Sequence, residues 1–457
     1  MNVKQLKRIY FIGAGGIGMS ALARFFNQQG AAVSGYDKTE TELTRALAAE
    51  GITIHYEDNT NLIDKEAELV VYTPAIPADH KELNWYRDHQ YPVYKRSDVL
   101  QWITESLQSV TVAGTHGKTT TSTMIGYLLR EAGSGCNAFL GGVSVNYGVN
   151  YWGSDNPIAV IEADEYDRSF LKLRPQIAIL TSMDPDHLDI YGTVDEMEAA
   201  FIQYTANIKP GGKLLVKHGL RRSDDLKGET KWTYSLQNSS ADAYAANIVQ
   251  RKGGYNFNLV TPLATLTDVT LNIGGMHNVE NAVAAMTAAM LAGADPEGVR
   301  AAMPGFRGVK RRFEYIVRNE NLVYIDDYAH HPEELTALIS SAKRLFPGKK
   351  CVVAFQPHLY TRTRDLSEGF AASLDLADEV ILLDIYPARE LPIEGVSSQM
   401  IVEKMANKSV TILSREGLVM YAETAPVELL ITAGAGDIDQ LVEPIRNVLE
   451  RKNGGKA

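Results

Sequence analysis

The chain has 457 residues, which at roughly 150 per domain predicts about three domains and not one large core. Lys and Arg total 45 against 56 Asp and Glu, a formal charge of −11, which excludes a nucleic-acid binder acting by general electrostatics but leaves room for a local basic pocket for phosphates. With 45% hydrophobic and 22% charged residues and only Cys136 and Cys351, wholesale disorder, a fibrous repeat, a disulfide framework and a thiolate zinc site are all excluded, and a reducing cytoplasm is the expected compartment.

In chain order, 7–12 reads as a strand, 18–29 as a helix, 31–36 as a second strand and 43–51 as another helix, the opening of a parallel Rossmann-like unit. The apolar run at 9–12 is too short for a signal peptide, and the Ala-rich stretch 282–294 is too short to span a membrane. Gly13-Ala14-Gly15-Gly16-Ile17-Gly18 satisfies G-x-G-x-x-G between strand and helix, and Asp37 ends the next strand. Glycines let the backbone approach a diphosphate at a helix N-terminus, and the acid can accept from ribose hydroxyls. A nicotinamide dinucleotide and a UDP-sugar both present those groups, and tight strand–helix packing alone would also ask for glycines. The alternation continues through 69–72 and ends near residue 105.

A fresh strand, 109–113, runs into Gly114-Thr115-His116-Gly117-Lys118-Thr119-Thr120 and a helix at 121–130, the layout of a phosphate-cradling loop. Val112 takes the place of the first glycine of the full P-loop pattern, so the motif is the shorter G-x-x-G-K-T. Lys118 would neutralise the β/γ oxygens of ATP and the Thr119 hydroxyl could ligate Mg²⁺. The apolar strand 158–161 then ends in Glu162, 44 residues after Lys118, a candidate metal ligand unless the run to Asp167 is a solvated acidic loop. Strand 177–180 leads into Asp184, Asp186, His187 and Asp189, hard ligands with one imidazole at a strand's C-terminal end. Between 213 and 273 the composition predicts an antiparallel insertion, with a hairpin at 251–254. A helix over 278–292 follows, stopped by Gly293. Asn278 and Asn281 share one face of it and could pair with an adenine edge, while Asn278 could equally cap the helix.

A Pro/Gly-rich linker at 304–308 precedes a third α/β unit with strands at 322–325, 351–355, 379–383 and 428–432. Asp326-Asp327-Tyr328-Ala329-His330-His331-Pro332 and His358 through Arg364 gather acids, imidazoles and guanidiniums at strand ends, with Arg312 just after the linker. Gly434-Ala435-Gly436 either contacts ligand or turns the chain. The last seven residues read as frayed.

Taken together, Gly15-Gly16-Ile17-Gly18-Met19-Ser20, Gly114 through Thr119, Glu162-Ala163-Asp164-Glu165, Asp186-His187-Leu188-Asp189, His277-Asn278-Val279-Glu280-Asn281, Arg311-Arg312-Phe313 and Asp326 through Pro332 resemble the Mur ligases, in order along nearly the whole chain. The resemblance implies a Rossmann-like UDP-binding domain at 1–105, a P-loop ATPase-like domain at 106–310 with its β insertion, and a Rossmann-like α/β domain at 311–457 that closes over ATP and admits the amino acid. It implies an ATP- and Mg²⁺-dependent ligase that joins L-alanine to the lactyl carboxylate of UDP-N-acetylmuramate through an acyl phosphate, for peptidoglycan precursors, acting as a cytoplasmic monomer or weak homodimer without nucleic acid or membrane insertion.

By the same resemblance, Gly15, Gly16, Ile17, Gly18, Met19, Ser20 and Asp37 hold the UDP-sugar. Gly114, Thr115, His116, Gly117, Lys118, Thr119 and Thr120 hold the ATP phosphates, Asn278 and Asn281 the adenine, and Arg312 with Asp327 closes on the nucleotide. Thr119, Glu162 and His187 take the metal, Tyr328, His330 and Arg362 form the amino-acid pocket, and Lys118, His187, Arg312 and His330 carry the catalysis. Leu359 stands where many alanine-adding members have Arg. The stretch 194–208 lacks the lysine that other members carbamylate, as expected of the alanine-adding branch. The alternatives are a ligase that recycles an intact tripeptide onto the same nucleotide sugar, and a nicotinamide-dependent oxidoreductase, which would leave Lys118 and Glu162 unexplained.

Overall fold

Short apolar segments alternating with helices fold here into three α/β sheets, in a computed structural model that describes residues 3–185, 188–388 and 390–454. The first sheet has the order Thr53–His55, Ala32–Tyr36, Arg8–Ile12, Leu69–Tyr72, Val93–Lys95, and every pairing is parallel. Its central strands are continuous apolar runs because helices cover both faces. The order reverses beside Arg8–Ile12, whose C-terminal end opens into the first glycine loop, the place where open α/β sheets take ligands.

The second sheet runs Thr265–Leu271, Gly254–Val260, Ala243–Arg251, Thr230–Ser235, Lys213–Lys217, Ile177–Leu180, Gln108–Ala113, Ile158–Glu162, Asn137–Phe139, Tyr151–Trp152. Here the expected antiparallel insertion is corrected. Lys213–Lys217 and Thr230–Ser235 extend the parallel sheet, and Ala243–Arg251 joins it in parallel. Only the last turns, Lys252-Gly253 and the one closed by Thr261 N–H to Ala264 O at 3.0 Å, are too short for anything but antiparallel neighbours. Val- and Thr-rich runs fit a buried parallel strand as well as a hairpin, which is why composition misread them.

The third sheet has the order Glu314–Arg318, Val323–Asp327, Leu429–Ala433, Cys351–Phe355, Glu379–Leu382, Val410–Ile412. Five strands are parallel, and Glu314–Arg318, which carries no uniform apolar pattern, is added antiparallel at the edge.

The chain divides into two compact units, one of residues 1–247, 257–269 and 280–306 and the other of 248–256, 270–279 and 307–457. Within the first, one continuous apolar cluster runs from Ile9, Phe11 and Phe25 of the first sheet layer to Phe139, Tyr151 and Ile161 of the second, with the Phe25 ring 5.3 Å from Phe139 and 6.2 Å from Tyr151, and a separate cluster gathers Tyr10, Val70 and Tyr86. The second unit has its own core around Tyr324, Val352, Ile381, Leu430 and Ile445. Among the described residues no helix is long and apolar enough to cross a membrane.

Candidate functional site

Strand Gln108–Ala113 ends in a loop whose Gly114 and Gly117 have φ of +128° and +79°, left-handed values that a side chain resists. Space is as restrictive as φ. A Cβ on Gly114 would lie 2.2 Å from the Thr181 hydroxyl, and one on Gly117 would lie 2.8 Å from Asn281 Oδ1. The loop is therefore pinned between strand Ile177–Leu180 and the helix Met276–Leu291. Thr181 donates to His116 O at 2.5 Å, and Ser182 Oγ accepts from His116 N and meets Thr115 Oγ1, both at 2.8 Å. Helix Lys118–Glu131 then starts with Gly117 as N-cap and no capping side chain, so its first N–H groups face the loop.

Three side chains bring charge to this loop. Lys118 Nζ is 2.7–2.8 Å from the carboxylate of Glu165, itself held under 2% exposed, and Tyr191 OH donates to the Glu165 carbonyl at 2.7 Å. Thr119 Oγ1 donates to Glu162 Oε1 at 3.0 Å, while the other Glu162 oxygen accepts from Gly141 N at 3.0 Å. A hydroxyl and a carboxylate side by side, both hard oxygen donors, fit a Mg²⁺ ion. His187 lies outside the described residues. Of the expected adenine pair, Asn281 lies against Gly117. Asn278 sits inside the helix, which begins at Met276, and its amide donates to Gly274 O at 2.6 Å; the capping alternative therefore does not hold.

The first glycine loop is built on the same logic. Gly13 N and Ala14 N donate to Tyr36 O at 2.8 and 2.9 Å, and Gly15 N donates to Asp37 Oδ2 at 2.7 Å. A Cβ on Gly15 would lie 2.5 Å from Thr44 Cγ2. Helix Ile17–Gln28 has Gly16 as N-cap with no capping side chain. Asp37 thus orders the loop through one oxygen, and its other carboxylate oxygen accepts from Thr39 N at 3.2 Å. Ser20 turns inward, donating to Ile17 O and accepting from Asn150 at 2.9 Å.

In the second unit, strand Val323–Asp327 ends in two buried carboxyls. Burial pushes Asp326 up to about 7, against the opposing pull of Arg311 and a 2.6 Å hydrogen bond from Thr432. Burial pushes Asp327 up to about 6. Its oxygens accept from Phe313 N at 2.6 Å and Ala329 N at 2.7 Å, while Arg312 is exposed. Asp327 is therefore a brace for its turn and not an ion-pair partner in this state. Tyr328 is exposed, and its ring stands 5.2 Å from that of His330. His330 Nδ1 lies 3.0 Å from Tyr328 O, so Nδ1 carries the proton and Nε2 can accept one. Arg362 Nη1 lies 3.4 Å from His358 Nδ1, and burial first, then Arg362, lowers the His358 pKa. Leu359 holds φ +71° at the start of helix Tyr360–Leu374, its N–H donating to Tyr386 O at 3.0 Å.

Sequence reasoning missed Glu165, Ser182, Asn150 and His358 as parts of these sites. Glu165 and Ser182 lay in motifs already singled out, and His358 in the expected rim. Asn150 carried no signal beyond being an amide in a Gly/Asn-rich loop.

Family models describe residues 8–107 as a Mur ligase family catalytic domain, 112–289 as a Mur ligase middle domain and 311–436 as a Mur ligase glutamate ligase domain. The chain is 46% identical to the UDP-N-acetylmuramate–L-alanine ligase of Cytophaga hutchinsonii over 99% of both chains, and 49% identical to that of Parabacteroides distasonis over 98% of both. Among solved structures it matches the UDP-N-acetylmuramate–alanine ligase of Thermotoga maritima with a TM-score of 0.82 at 28% identity, covering 99% of this chain and 100% of that one. The murein peptide ligase of Psychrobacter arcticus shares the fold, with a TM-score of 0.68 at 24% identity over 97% and 98% of the two chains. This chain belongs to the Mur ligase family.

Proposed function

We infer that this chain is an ATP-dependent ligase that joins L-alanine to the lactyl carboxylate of UDP-N-acetylmuramate, the first peptide bond of a peptidoglycan precursor. The observation that carries the reading is full-length similarity to relatives bearing that name, and the two glycine loops supply sites for its two nucleotides. The carboxylate attacks the γ-phosphorus, ADP leaves, and the amine of L-alanine displaces phosphate from the acyl phosphate.

Two anions must meet in the first step, so the protein's task is charge neutralisation and alignment. In this reading Lys118 exchanges Glu165 for the β/γ-phosphates, and the N–H groups of Gly117 through Thr119 receive the phosphate oxygens. Thr119 and Glu162, with His187, would hold Mg²⁺, which when bound offsets the charge gathering on the transferred phosphoryl group. Gly15 through Ser20 and Asp37 take the UDP part, and Asn281 and Asn278 the adenine. Arg312, exposed on its turn, would close on the nucleotide with Asp327. Tyr328, Arg362 and His330 receive the amino acid, and His330 Nε2 takes a proton from the ammonium so that the amine can attack. We read 1–105, 106–310 and 311–457 as the UDP-sugar, ATP and amino-acid domains of a cytoplasmic enzyme.

Phosphate release from ATP and Mg²⁺ with UDP-N-acetylmuramate tests this directly. Release that requires L-alanine is the expected result. Release only with L-Ala-γ-D-Glu-meso-diaminopimelate would move the protein to the recycling branch, and release with neither would remove the ligase assignment.

A further inference from the structure

The third glycine of the first loop is not explained by its backbone or by strand packing. Gly18 lies in the first turn of helix Ile17–Gln28 and is not among the residues with positive φ. The three atoms nearest to a Cβ there all belong to Arg96 and none to a strand. The Cβ would stand 2.1 Å from Arg96 Nη1 and 3.2 Å from Arg96 Cδ and Cζ. The missing side chain makes room for a guanidinium at the start of the helix.

Arg96 is the first residue of helix Arg96–Ser106, so its backbone is fixed while its side chain reaches the loop. The guanidinium has little to hold it. Its nearest ion-pair partner is Asp164, 3.9 Å from Nη2 and 42% exposed, a separation at which a solvated pair contributes almost nothing. Arg24, on the same glycine-loop helix, cannot substitute, because it is bound bidentately to Glu50 at 2.7–2.9 Å and donates to Asn150 as well. The loop itself brings no charge, since Gly13 through Ser20 are all neutral. A diphosphate seated on these backbone N–H groups would carry about two negative charges, and helix-dipole attraction alone offsets only about half a unit.

We propose that Arg96 is the diphosphate clamp of the nucleotide-sugar site, held over Gly18 so that it exchanges its loose contact with Asp164 for a bidentate, charge-assisted grip on the anion. The proposal rests on reading the 13–18 loop as the nucleotide-sugar site. Arginine suits the role because its planar fork presents two parallel N–H donors to phosphate oxygens. Gly18 and Arg96 then form one device: the glycine sets how low the guanidinium can lie.

The test measures binding of UDP and of uridine, with ATP binding as a control for folding. In Arg96→Ala the affinity for UDP falls at least about tenfold, the scale of one charge-assisted hydrogen bond, while uridine affinity changes less than about twofold and ATP affinity is kept. Arg96→Lys recovers only part of the loss. In turnover, KM for UDP-N-acetylmuramate rises by a similar factor and kcat changes far less. Gly18→Ala, which pushes the guanidinium off the loop, reproduces the UDP defect, and the double variant is no worse than Arg96→Ala alone. Wild-type protein that binds UDP, with Arg96→Ala unchanged or equally impaired for uridine, overturns the clamp and leaves the ligase reading standing. Wild-type protein that binds ATP but not UDP overturns the assignment of the loop itself, and the clamp with it.

Discussion

Replacing Lys118 by Met separates two things that one ammonium does. In this structure Nζ sits 2.7 Å from a Glu165 carboxylate with 1% side-chain exposure, and Lys118 itself is 13% exposed. Removing the cation takes from a buried carboxylate the ammonium paired with it, and breaking such a pair costs about 3–5 kcal/mol; because the lysine end reaches the edge of the loop, the expected loss is about 3 kcal/mol. Adding Glu165→Gln removes the stranded charge and keeps its shape, so the double variant regains about 2 kcal/mol of that loss. Turnover behaves differently, because a cation aligned on the transferring phosphoryl group lowers the barrier by about 4 kcal/mol, a thousandfold in rate. Urea titration of the three proteins reads the first effect, and phosphate release with UDP-N-acetylmuramate and L-alanine reads the second. Stability is expected to recover in the double variant while turnover stays down about a thousandfold. Turnover that recovers together with stability would refute the reasoning, since Lys118 would then act only by holding Glu165 in place.

Thr119→Val keeps the volume of the side chain but removes the hydroxyl that lies 3.0 Å from Glu162; phosphate release should drop about a hundredfold and its Mg²⁺ requirement shift to higher concentration, read by titrating Mg²⁺. Gly117→Ala forces a Cβ into φ +79° and to 2.8 Å from Asn281 Oδ1, costing about 1–2 kcal/mol of backbone strain, so KM for ATP should rise about tenfold with UDP binding unchanged. In the first sheet, burial raises Glu82 from 4.5 to about 7, where it accepts from Tyr10 OH at 2.7 Å and Asn59 N at 2.9 Å. The folded state therefore holds this proton more tightly than the unfolded chain, and stability is lost as pH rises from about 4.5 through 7. Glu82→Gln should match wild type in melting experiments near pH 4.5 and exceed it by about 1–2 kcal/mol near pH 8; equal gains at both would show that the effect is packing and not ionisation.

The conformation of the glycine loops was legible because it is local: a strand, a run of glycines and a helix start leave the first helical N–H groups without a capping side chain. The carboxylate at the end of Ile158–Glu162 followed from the same rule about strand ends. What stayed hidden depends on distance in sequence. Glu165 meets Lys118 across 47 residues and Ser182 meets His116 across 66, contacts that no window of periodicity records. Strand Glu314–Arg318 was missed because a sheet edge half open to water alternates weakly, with Tyr315, Ile316 and Val317 all only partly buried. The direction of Lys213–Lys217 and Thr230–Ser235 was misjudged because orientation is set by where a strand's partner lies, not by its composition. Asp327 was expected to close on the nucleotide with Arg312; no sequence pattern shows that its carboxylate also braces the turn from Arg311 to Phe313, strained at φ +61° and +49°.

Asn150 has consequences for how such a chain could be cut. Its Nδ2 donates to Ser20 Oγ and Ile17 O, its Oδ1 accepts from Arg24, and it is fully buried. Only an amide offers two donors and an acceptor in that space, so the first glycine-loop helix borrows its polar completion from a residue 130 positions later. A fragment ending near residue 105 would expose Phe25 and strip from Arg24, Ser20 and the Ile17 carbonyl the contacts that Asn150 makes, and we expect it to be insoluble or molten when expressed alone. A cut after Phe306 fares no better, because the second compact unit takes in 248–256 and 270–279 as well as 307–457. Shuffling or splitting experiments should therefore treat the two glycine loops as inherited together.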